Sequence, residues 1–186
     1  EITARMSRLR PSEQLVILSD LKVGQLGAGN PESVRMEFDQ NMGSMYPFSL
    51  SEKLQAITED HEYYHDTNQD ALPWQKPVVP LEMISVLTQY TSGLSGYRSR
   101  GPAIGLFAGQ EIKLINGPIF VDHPYKLERE IVALSESKRT ESNWIKTRVI
   151  DEASDELVAE VILNSATLKE SYEKYEEDAR ALSLNL

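Results

Sequence analysis

The segment that most constrains this chain is "LEMISVLTQY", residues 81–90. Leu81, Met83, Ile84, Val86, Leu87 and Tyr90 fall on every side of a helix drawn through it. Pro80 stands at its start, and Gly93 and Gly96 follow its end, the residues that open and stop helices. A helix that is apolar all round has to be covered by other structure. The second half of the chain offers the cover. In "YKLEREIVALSESK", Tyr125, Leu127, Arg129 and Ile131 alternate against Lys126, Glu128 and Glu130, the two-residue period of a strand. "IGLFAGQEIKLI", "NWIKTRVID" and "ELVAEVILNSATL" read as further strands, joined by turns at "NGP" and "EASD". This order predicts an α+β domain in which one curved antiparallel sheet wraps one central helix. Such a sheet leaves an open edge, which dimer formation can pair.

Upstream, residues 1–13 are polar and basic and stop near Pro11, as an arm or short helix would. "QLVILSDLKVGQL" reads as a strand or packed segment. "SVRMEFDQ" alternates Val34, Met36 and Phe38 against Arg35, Glu37 and Asp39, a half-buried strand. In "SLSEKLQAIT", Ser49 and Glu52 have capping-box spacing, and Leu50, Leu54 and Ile57 make one helix face. Pro73, Pro77 and Pro80 give a rigid extended approach to the central helix. Near the end, Leu168, Tyr172, Tyr175, Ala179 and Leu182 recur at helical spacing. The expected division is an N-terminal arm and packed segment over 1–30, a domain over 31–166 and an amphipathic C-terminal helix over 167–186.

Formal net charge is −10, so nucleic acid and anionic membranes are not expected as partners. The absence of cysteine excludes disulfides, thiolate metal sites and a cysteine nucleophile. No apolar run approaches the ~18 residues of a membrane helix. No signal peptide is seen, and a cytoplasmic location is expected.

"TEDHEYYHD", Thr58 to Asp66, carries the chemistry, and it can be read in two ways. His61, Glu62 and His65 match HExxH, the zinc motif whose two histidines share one helix face. A catalytic zinc wants a third protein ligand, and the only other histidine is His123, in a turn before a strand. "YYHDTNQDALP" is also poor helix material. In the second reading Asp60 and His65 form an acid/base pair. On one continuous α-helix they would point about 140° apart. They meet only if the chain leaves helical geometry between them, and the apolar pattern of Leu50, Leu54 and Ile57 does fade at Thr58. A carboxylate and an imidazole in one pocket can activate a water or shuttle a proton beside a carbonyl.

Here the residues resemble the MaoC-like, (R)-specific enoyl-CoA hydratase family, with its signature S-G-D-x-N-P-x-H and a following small residue. Thr58, Asp60, His65 and Ala71 fall on the matching positions. "WQKPVVPLEM" is similar to the family's G-F-x-x-P-I-x-P-G-M segment, and the run from Phe107 to Arg139 is similar to its strand, proline, strand pattern. Glu62 stands where the family has Asn, and Leu81 where it has Gly. The resemblance covers about residues 34–164.

It implies a hotdog fold, a curved sheet around the central helix, assembled as a homodimer or a hotdog hetero-dimer. It implies a hydro-lyase adding or removing water at an enoyl or 3-hydroxyacyl thioester, with no cofactor and no metal. By the same likeness Asp60 is the water-activating base and His65 its acid/base partner, and backbone N–H groups around Leu81 polarise the thioester carbonyl. Glu62, Tyr63, Tyr64 and Trp74 are candidate pocket residues. Arg98, Arg100 and Arg129 are candidate contacts for the phosphates of a coenzyme A or carrier arm. Two alternatives stand beside this reading: a hotdog thioesterase using Glu82, and a non-catalytic hotdog subunit.

Overall fold

The computed structural model describes residues 8–67 and 69–183. Residues 1–7 of the expected arm lie outside the described residues. The strands are β1 (Arg8–Leu9), β2 (Glu32–Val34), β3 (Gly105–Leu114), β4 (Tyr125–Glu136), β5 (Thr140–Asp151) and β6 (Leu157–Leu168). They form one antiparallel sheet in the order β1-β4-β5-β6-β3, with β2 also on β4. The helices are α1 (Leu50–Ala56), α2 (Leu81–Tyr90) and α3 (Tyr175–Ala181).

The sheet wraps α2 as expected, and the alternation of β4 decides which face does so. Tyr125 and Leu127 pack with Val149, Val158 and Val161 against Met83, Ile84, Val86 and Leu87 of the helix. The helix is nevertheless not covered all round. Leu81 and Tyr90 are exposed, and Ser85 and Gln89 line a groove of about 370 Å³ with Met42, Tyr46 and Phe107.

A length mismatch explains the N-terminal segment. β4 has 12 residues and α2 has 10. At about 3.3 Å and 1.5 Å per residue, the strand runs far beyond the helix. Leu15, Ile17, Leu18 and Leu21 fill the remainder, packing on Ile131 and Leu134 in a second core that Tyr172 and Tyr175 close. "QLVILSD" is therefore a packed segment rather than a strand. Its backbone is held by the fully buried Glu141, whose carboxylate accepts from Val16 N (2.9 Å), Leu18 N (3.0 Å) and the Tyr175 hydroxyl (2.9 Å). Burial and that carboxylate push the Tyr175 pKa up, so the phenol stays a donor.

Arg129 sits where the two cores meet. Its guanidinium pairs with Glu32 and donates to Thr88 O (2.6 Å) and Thr91 Oγ1 (3.1 Å), groups at the end of α2. The side chains of Arg129 and Glu32 are 1% and 2% exposed. The candidate role of Arg129 as a phosphate contact is thereby corrected: its charge is enclosed, and it ties β2 and β4 to the helix end.

Two other expectations change. The strand expected through "SVRMEFDQ" stops at Val34. Met36 O then accepts from Asp122 N, and Phe38 O from Ser51 N, so the chain turns from the sheet toward α1. The C-terminal helix is shorter than its apolar spacing suggests. Leu168 ends β6, paired with Thr140, and among the described residues the α-helix is Tyr175–Ala181; residues 184–186 of the expected helix lie outside the described residues.

The two sheet edges are unlike. The outer edge of β4 is covered by β1, by β2 and by backbone bonds to Gly24, Gln25 and Gly27. β3 pairs β6 on one side, and every residue in it except Ile112 is exposed.

His123 and Asp151 form a contact that the sequence did not disclose, Nε2 to Oδ2 at 2.5 Å, at the end of the sheet. Burial would raise the Asp151 pKa, but the N–H groups of Ser154 and Ala153 and the His123 ring outweigh it and hold it at about 2. A carboxylate lowered on folding stabilises the fold above its ordinary range near 4 and loses that contribution as pH falls toward 2. Asp151→Asn is expected to lower the melting temperature at neutral pH by a few degrees and to flatten its fall between pH 5 and pH 2. Parallel acid slopes for the two proteins in thermal melts would contradict this account.

Candidate active site

α1 begins with both bonds of the predicted capping box: Ser49 Oγ accepts from Glu52 N (3.2 Å), and Glu52 accepts from Ser49 N (2.8 Å). It ends at Ile57, whose ψ of 136° is extended. The chain then leaves helical geometry, as the acid/base reading requires. His61 and His65 are both extended, and between them lies a single 3₁₀ turn, Glu62–Tyr64. This geometry brings His65 Nε2 to 2.7 Å from Asp60 Oδ1.

The α-helix that HExxH needs is not formed across His61 and His65. Their rings are engaged separately, His65 with Asp60 and His61 with the N–H of Tyr63. Among the described residues, no group of three or more His, Cys, Asp or Glu side chains is placed to hold a metal.

The Asp60 and His65 side chains are 53% and 33% exposed, at the rim of an open depression of about 660 Å³. Phe38, Leu54 and Ile57 give it apolar walls, and Ser51, Gln55 and Thr67 add polar groups. Periodicity had marked Leu54 and Ile57 only as a helix face. Alternation had marked Phe38 only as the buried side of a strand; it becomes a wall here because the chain folds back onto α1 through the bond from Ser51 N to Phe38 O.

The other predicted residues are not gathered there. Tyr63 stacks edge-on against Trp74 (6.0 Å between ring centres), and Trp74 meets Phe120 (6.1 Å). Tyr64 is half-buried against the main core. Glu62 is an exposed turn residue, and Leu81 lies exposed at the first turn of α2. Glu82 pairs with Lys53 at 2.9 Å, linking α2 to α1. Arg100 is engaged with Asp178 (3.4 Å) and Asp20 (3.7 Å), tying the chain after α2 to α3 and the N-terminal segment. Arg98 is exposed and lines neither the depression nor the groove beside α2. None of Glu62, Tyr63, Tyr64, Trp74, Leu81, Arg98 and Arg100 lines the Asp60–His65 depression.

No family model matches the sequence, and no curated protein matches it. Solved structures do. The chain is similar to the HadBC (3R-hydroxyacyl-ACP dehydratase) complex from Mycobacterium tuberculosis, with a TM-score of 0.59, 14% identity, and 77% of this chain and 96% of that one covered. It is similar to an (R)-hydratase from A. caviae, with a TM-score of 0.53, 20% identity, and coverage of 78% and 96%. It is also similar to a MaoC-like dehydratase from Rhodospirillum rubrum, with a TM-score of 0.53, 14% identity, and coverage of 82% and 96%. At these identities the likeness is one of architecture, and it agrees with the helix and sheet described above: the chain has the hotdog fold.

Proposed function

We propose that this chain is a hydratase/dehydratase acting on an enoyl or 3-hydroxyacyl thioester. The observation that carries the reading is the 2.7 Å contact between His65 Nε2 and Asp60 Oδ1 beside apolar walls. The sequence motif and the named activities of the similar structures support it. In the hydration direction Asp60 takes a proton from a water whose oxygen bonds to C3 of the enoyl thioester. The pair of electrons from the C2–C3 double bond moves toward the carbonyl, and His65 supplies the proton that C2 receives. The Asp60–His65 contact returns the water's proton to the imidazole, so the pair ends as it began. The backbone N–H groups of Leu81 and Glu82, which open α2, are suited to the carbonyl oxygen, because the first N–H groups of a helix have no partner within it.

The test is a panel of trans-2-enoyl thioesters followed by loss of the conjugated absorbance, with free thiol measured in parallel. Absorbance loss without thiol supports the hydro-lyase. Thiol release that disappears in Glu82→Gln would replace it with the thioesterase.

The open edge fits a second hotdog unit. Among the described residues β3 has no strand on its outer edge, and it carries Leu106, Phe107 and Leu114 exposed, a surface that a lone domain seldom leaves uncovered. Antiparallel pairing of β3 with its copy would continue the sheet across a two-fold axis. The wild-type chain is expected to sediment as a dimer, and Phe107→Glu to weaken the dimer about tenfold or more by placing two charges at the interface. A monomer at micromolar concentration, with no second hotdog chain co-purifying, would refute this assembly.

A further inference from the structure

We propose that His61 is a positioning residue for the candidate site: its ring caps the turn that folds His65 back onto Asp60. The proposal rests on the Asp60–His65 reading and gives a part to a residue outside that pair.

The turn from Asp60 to His65 has few internal bonds. Tyr64 N donates to His61 O (3.0 Å), and His65 N donates to Glu62 O (3.2 Å). The N–H of Tyr63 would otherwise have no partner within so short a turn. It donates to His61 Nδ1 at 3.2 Å, the bond that an N-cap asparagine or serine makes with its side-chain oxygen. Accepting that bond takes an Nδ1 with a free lone pair, which an imidazole carrying its proton on Nε2 supplies.

The cap is itself braced. The His61 ring lies edge-on to Tyr63, with ring centres 4.3 Å apart, and 6.2 Å from Tyr64. Tyr63 is anchored in turn by Trp74, and its carbonyl accepts from Val78 N at 2.7 Å. Val78 bridges to Phe120 near the sheet. A row of contacts thus runs from the sheet to His61, and His61 closes the turn.

Asparagine can make the same cap without an imidazole, whereas alanine cannot. His61→Asn and His61→Ala should therefore differ in one direction. The readout at the site is the tautomer of His65, taken from its two ring-nitrogen shifts in long-range ¹H–¹⁵N correlation spectra. The wild type and His61→Asn are expected to share one His65 pattern, and His61→Ala to shift it. In hydration assays His61→Ala is expected to lower kcat about tenfold with KM nearly unchanged, and His61→Asn to stay within about threefold of wild type. An unchanged His65 pattern in His61→Ala, or an equal loss in both variants, would overturn the proposal. If no thioester is hydrated by any of the three proteins but the two variants still separate in their His65 patterns, the positioning role stands and the hydratase reading falls.

Discussion

Asp60→Asn is expected to slow hydration of a trans-2-enoyl thioester by about 10²- to 10⁴-fold, the usual worth of a positioned acid or base. That corresponds to about 3–5 kcal/mol in the transition state. Asparagine keeps the size of the side chain and can still meet the imidazole, but it cannot take a proton from water at neutral pH. KM should change little, because the lost interaction belongs to the transition state. Folding should also change little, since the Asp60 side chain is half exposed and its bond to His65 lies at the surface. His65→Ala should give a loss of similar size. The double variant should lose hardly more than either single one, because the two groups act on one proton. Comparison of kcat, KM and melting temperature across the three variants checks these statements. Full activity in Asp60→Asn would sink the assignment, and lost activity with lost folding would fail to support it.

The largest expected effect on stability lies elsewhere. Arg129→Met should destabilise the fold by about 3–5 kcal/mol, because it leaves the Glu32 carboxylate buried without its cation. Thr88 O and Thr91 Oγ1 lose their donor as well. For a chain of this length that is a fall in melting temperature of about 10 °C. Replacing both partners by apolar residues, as in Arg129→Met with Glu32→Leu, should recover much of the loss, since the unpaired charge is then gone. A double variant no more stable than Arg129→Met would show that the helix-end bonds, and not the ion pair, account for the cost. The same pair of variants leaves the Asp60–His65 depression untouched, so stability and activity can be read apart.

Much of the architecture was legible because it follows from local periodicity. The apolar run through α2 and the two-residue alternation from Tyr125 to Ile131 each state a geometry within a few residues. The capping box at Ser49 and Glu52 is equally local, and it forms as read. Arg129 shows the limit of that method. Alternation placed it on the inward face, yet its residue type suggested a surface contact. The answer depended on Glu32, 97 positions away in sequence.

The candidate site divides in the same way. The resemblance to a hydratase signature pointed to Asp60 and His65, and the end of the apolar pattern at Ile57 allowed the chain to leave the helix between them. Nothing local pointed to Phe38 as a wall, to the Asp151 partner of His123, or to Glu141 as the group that holds the N-terminal segment. Those contacts join residues distant in the chain. The sequence by itself determined the central helix, the long strands and the inward face of the sheet, because side-chain period and backbone preference act over one or two turns. The tertiary structure alone decided what surrounds the pair, which charges are enclosed and which sheet edge has no partner among the described residues. Those follow from how long strands and one short helix share a core.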